Sequence, residues 1–144
     1  MAVNLDKYSV FKEICRKICL NFPENAAWQW DGQREMALVT LEKQDAELVF
    51  FPLVKEFKQH WKFSSPAEAE TLVARLISSE YGMMPGQSFF ISCPIDDLVL
   101  FVAWWPWGKA ERVSMRVGLF PLQPEKADNR MTATCLKQWL DFRA

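Results

Sequence analysis

The run Leu98-Val99-Leu100-Phe101-Val102-Ala103-Trp104-Trp105 is apolar at every position. Strand side chains alternate between the two faces of a sheet, so a strand of this kind needs cover on both sides. An antiparallel sheet with one wet face alternates apolar and polar residues instead. Either helices cover both faces, or a second copy or another protein covers one of them. The shorter run Leu48-Val49-Phe50-Phe51 poses the same question. Large apolar patches on soluble proteins tend to mark interfaces, so this feature points to association rather than catalysis.

The other segments read as alternating helices and strands. Leu5, Tyr8, Phe11, Ile14, Cys15, Ile18, Cys19 and Phe22 recur at spacings of three and four, which predicts a helix over 4–21. Asn4 or Asp6 is its candidate cap, and Pro23 ends it. Asp31-Gly32 stands between the strand-like segments 26–30 and 34–41 and predicts a hairpin, with Gly supplying a positive φ. Residues 46–51 read as a third strand, because a helix continuing toward Trp61 would hold Pro52 in its interior at a cost of about 3 kcal/mol.

Ser65-Pro66-Ala67-Glu68 is a capping box with proline in the first turn, and it predicts a helix over 66–81. Three further strands follow over 88–93, 98–105 and 112–120, and a helix over 129–142 closes the order. In the last strand Val113, Met115, Val117 and Leu119 alternate with Arg112, Ser114, Arg116 and Gly118, the pattern of a face open to water. The expected fold is α+β: a single domain over 1–144, a mainly antiparallel sheet with helices packed on it, in the order α-β-β-β-α-β-β-β-α. That order resembles the class I type III secretion chaperones, small dimers with helices around a short antiparallel sheet. The likeness is one of topology alone and leaves the strand over 98–105 unmatched.

Composition narrows the function classes. Net charge is −1, with no basic excess to displace counterions from nucleic acid or to favour an anionic membrane. The first residues lack a signal-peptide pattern, and the longest apolar run, 98–107, is far short of the roughly 20 residues that span a bilayer. Four cysteines, Cys15, Cys19, Cys93 and Cys135, are too few for a disulfide scaffold and read as free thiols in the cytoplasm.

Candidate chemistry is sparse. His60 is the only histidine, and an enzyme would need it to converge with a nucleophile such as Cys93. Cys15 and Cys19 share a helix face, but a closed zinc site needs four ligands, so core packing is the better reading and no metal is assigned. Asp96-Asp97 reads as turn chemistry rather than an acid–base pair. The five glycines form neither a dinucleotide fingerprint nor a phosphate loop, so no cofactor is assigned.

Arg112 and Arg116, near Ser114, could clamp a carboxylate or phosphate, although a solvated strand face explains them as simply. Trp105 and Trp107 at the turn Pro106-Trp107-Gly108 are the candidate partner contacts among seven tryptophans. The leading expectation is a non-enzymatic interaction module of the adaptor, chaperone or immunity-protein kind. It would form a homodimer or bind another protein through an apolar, Trp-bearing sheet face, with Trp105, Trp107, Arg112 and Arg116 as contacts. The alternative is a small-molecule sensor or carrier with an aromatic pocket between sheet and helices, where Arg116 or Asp97 makes the polar contact.

Overall fold

The computed structural model describes residues 5–23, 26–33, 35–57, 59–62, 88–107, 111–122 and 129–140. Among them the elements are a 3-10 turn (Leu5–Tyr8), α1 (Ser9–Leu20), β1 (Gln29–Asp31), β2 (Met36–Glu42), α2 (Lys43–Glu56), β3 (Gln59–Lys62), β4 (Ser88–Ile91), β5 (Leu98–Trp107), β6 (Arg112–Pro121) and α3 (Asn129–Trp139). The helix read over 66–81 lies outside the described residues. The strands form a six-stranded sheet in the order β1-β2-β6-β5-β4-β3, antiparallel at every pairing. This is the α+β class that the pattern predicts.

α1 starts later than its periodicity suggests. Tyr8 stands at its N-cap without a side-chain cap bond, and Asp6 falls within the preceding 3-10 turn; the other cap candidate, Asn4, lies outside the described residues. Its buried residues, Phe11, Ile14, Cys15 and Ile18, belong to the predicted stripe, while Cys19 and Phe22 are half-buried.

One element differs in kind. Residues 46–51 are not a strand but the middle of α2, and Pro52 lies inside that helix. The third strand comes later, at Gln59–Lys62. Proline lacks the N–H that would bond the Leu48 carbonyl, at a cost of about 3 kcal/mol. Burial outweighs it: Ala46, Val49, Leu53 and, just past the helix, Phe57 are all buried at helical spacing. Each large apolar side chain so buried contributes about 1.5–3 kcal/mol. α2 also starts without a side-chain cap, because the Lys43 N–H donates 2.9 Å to the Glu111 carbonyl.

The tight turns follow backbone chemistry. Ile95 and Leu98 exchange both backbone bonds, 2.9 and 3.0 Å, around Asp96 and Asp97, whose φ values are 53° and 60°. Two positive φ values in a two-residue loop suit the right-handed twist of the flanking strands, and Asp tolerates them. Among the described residues of the β1–β2 hairpin the left-handed one is Glu35, at φ 56°, and not Gly32. Asp31 helps shape that loop by accepting the Gln33 N–H at 3.1 Å. Glu35→Gly is therefore expected to raise stability by about 0.5–1 kcal/mol, read as a higher urea midpoint at unchanged slope.

The sheet carries a core on each face. α1, α2 and α3 pack on one side, over Ala37, Val39, Leu41, Leu100, Val102, Trp104, Val113, Met115 and Val117. Met36, Phe89, Ile91, Val99, Phe101 and Ala103 form a second buried cluster on the other side. Phe89 and Ala103 are 0% exposed within the single chain. The apolar side chains on both faces of β5, from Leu98 to Trp104, are thus buried within the single chain. The polar side of β6 is not an open face either: Ser114 is buried and Gly118 lies under the Phe101 ring.

Candidate functional site

The four residues singled out on the sheet occupy one end of its second face. Opposite residues on antiparallel strands share a face. The register sets Trp105 against Ser114, and Trp107 against Arg112, while Arg116 lies between Ala103 and Leu38. Arg116 and Trp105 are tied together, with the guanidinium carbon 5.0 Å from the ring centroid. The other face of that guanidinium chemistry is Asp31, 3.0 Å from Nη1. Both residues are half-buried, so they form an internal brace that links β1, β6 and β5.

Trp107 and Arg112 stand further out. Trp107 is 57% exposed, and its Nε1 donates 2.6 Å to the Ser114 hydroxyl. Arg112 is exposed and 3.9 Å from Glu42, a separation worth little in water. The two arginines do not make a joint anion clamp, because Arg116 already holds Asp31.

A second apolar surface lies on the helix side, on the segment 46–54 that the local cost of Pro52 disguises as a strand. Wound as a helix, residues 46–54 sort their apolar side chains by angle. Ala46, Val49 and Leu53 face the core, Phe50 is half-buried against Phe90 and Trp104, and Leu48, Phe51 and Val54 face outward. Their exposures are 65%, 76% and 45%. Two interleaved apolar stripes at spacings of three and four were legible in the sequence. Pro52, taken locally, argues against the helix that these stripes describe.

Among the described residues two hollows with apolar walls adjoin the helices. One, of about 260 Å³, lies between α2 and the ends of β5 and β6, walled by Ala46, Phe50, Phe51, Trp104, Pro106 and Val113 with Lys43 and Glu47 at its mouth. The other, of about 400 Å³, is walled by Cys19, Phe22, Trp28, Trp139 and Leu140 beside Arg16. Phe22 and Trp28 stack there at 4.8 Å between centroids. Neither hollow contains Arg116 or Asp97, the polar contacts expected of a pocket.

Cys15 and Cys135 are buried, and burial pushes both thiols up, so neither is a nucleophile near neutral pH. Cys19 donates 3.4 Å to the Leu140 carbonyl, and Cys93 is exposed beyond β4. The backbone of His60 pairs with Phe90 in the β3–β4 ladder. Among the described residues no group of three or more His, Cys, Asp or Glu side chains converges. Asp96 pairs with Lys7 at 2.7 Å, and that hydrogen bond raises the pKa of the lysine. Among the described residues no helix is long and apolar enough to cross a membrane.

Comparison with protein-family models, with curated proteins and with solved structures found no match. The topological likeness to secretion chaperones therefore gains no support from known structures.

Proposed function

We propose that this chain is a cytoplasmic, non-enzymatic protein-interaction module whose main contact surface is the outer face of α2. The observation that carries this reading is the exposed stripe Leu48, Phe51 and Val54. Exposed apolar side chains scattered singly are ordinary; three aligned on one helix face are a recognition surface of the helix-docking kind. Trp107 at the sheet end is a second exposed anchor. The four free cysteines fit a reducing compartment.

The test is a native mass spectrum of the protein freshly purified from its own host, beside the Phe51→Asp variant. The wild type is expected at a multiple of 16.8 kDa or with the added mass of another polypeptide, and the variant at 16.8 kDa alone. Trp107→Asp is the matching variant at the second anchor. Trp105→Asp is a poor choice, because it removes the ring that packs on Arg116.

The aromatic hollow of about 400 Å³ favours a second reading, a carrier of a small apolar ligand. A reproducible added mass of small-molecule size, indifferent to Phe51→Asp, would replace the leading proposal with this one. Trp28 fluorescence would then be quenched on adding the extracted ligand.

A further inference from the structure

We infer that the partner on α2 is a second copy of this chain, docked by antiparallel pairing of the two α2 helices about a two-fold axis at Phe51. The inference rests on the interaction-module reading and names its occupant. It comes from the order of residues along the exposed face. Leu48 and Val54 stand three residues before and after Phe51, and Glu47 and Lys55 stand four before and after it. At 3.6 residues per turn all five lie on one side of the helix, and all five are exposed.

The pattern is apolar at its centre and opposite in charge at its two ends. A two-fold interface brings the same patch of both subunits together, so the patch must complement itself. Antiparallel pairing centred on Phe51 does this. Phe51 meets Phe51 of the second copy, Leu48 meets Val54, and Glu47 meets Lys55 on both sides of the axis. Parallel pairing would set Glu47 against Glu47 and Lys55 against Lys55. Neither Glu47 nor Lys55 makes an ion pair among the described residues, so both are available. The net charge of −1 leaves little repulsion between copies. The core-facing Ala46, Val49 and Leu53 fix the orientation of the helix from behind.

The contact is one helix face wide, so the dimer is a reversible, concentration-dependent one rather than an obligate one. Each charge reversal acts twice, because the axis doubles every contact.

The experiment is sedimentation equilibrium of the full chain over a wide concentration range, with far-UV circular dichroism to verify folding. The wild type is expected to show a monomer–dimer equilibrium, and Phe51→Asp to weaken it about 100-fold. Glu47→Lys alone, and Lys55→Glu alone, are each expected to weaken it roughly tenfold. The double variant Glu47→Lys/Lys55→Glu reverses both ends of the pattern and is expected to restore wild-type association. A chain that stays monomeric throughout, or a double variant no tighter than the single ones, overturns the inference. If the chain is monomeric but Phe51→Asp releases a different co-purified polypeptide, self-pairing falls and the module reading stands. If no polypeptide accompanies the chain at all, both fall.

Discussion

Phe89→Ala is expected to destabilise the fold by about 3–5 kcal/mol, the range for emptying a fully buried aromatic site. Phe89 is 0% exposed and belongs to the second-face cluster with Met36, Ile91, Val99, Phe101 and Ala103. Its backbone pairs with Ala103, whose methyl group is too small to fill the space a lost ring would leave. The measurement is urea unfolding at several protein concentrations, made in the Phe51→Asp background so that association through α2 does not enter. Burial by the chain itself predicts a loss that is the same at every concentration. A loss that grows on dilution would mean that a second copy supplies the cover. The second face would then be the interface, and the reading of both cores as intrachain would fail.

That question was posed by the sequence but could not be answered from it. The all-apolar run at 98–105 says that two faces need cover, and periodicity cannot say whether the cover is intrachain. Where one periodicity dominates, pattern and structure agree. The stripe of Phe11, Ile14, Cys15 and Ile18 is α1, and the alternation of Val113, Met115, Val117 and Leu119 is β6. The polar partners in β6 misled because a long Arg side chain can brace a neighbour instead of meeting water: Arg116 lies along Trp105 and holds Asp31. In α2 two principles competed. The local cost of Pro52 favoured a strand, and burial of Ala46, Val49 and Leu53 against the sheet favoured a helix. Tertiary burial exceeded the local penalty, and with it the outward stripe of Leu48, Phe51 and Val54 came into existence. The spacing of that stripe is present in the sequence, but Pro52 argues locally against the helix that turns it into a face, so the site and its element are obscured together.

Gly118→Val sets two other principles against each other. Valine is favoured in strands and glycine weakens them, a difference on the order of 1 kcal/mol toward stability. The structure predicts the opposite sign. A Cβ at position 118 would lie 2.6 Å from Phe101 Cε1, 2.9 Å from Cζ and 3.1 Å from Met36 Cγ. Phe101 is the cross-strand partner of Gly118, and its ring lies edge-on to Phe120 at 5.9 Å. The ring therefore has neighbours on more than one side, and moving it disturbs the whole second-face cluster. Overpacking of this kind typically costs 1–3 kcal/mol, and the net loss is expected to be about 3 kcal/mol. Gly118→Ala should already cost about 1–2 kcal/mol, since the clash begins at the first carbon. Phe101→Leu removes the ring atoms that a Cβ meets, so the double variant Gly118→Ala/Phe101→Leu should lose less than the sum of the single losses, by at least about 0.5 kcal/mol. Additive losses would mean that the ring can swing clear without help. Gly118 would then be an ordinary weak point in β6, and strand propensity would set the sign at that position.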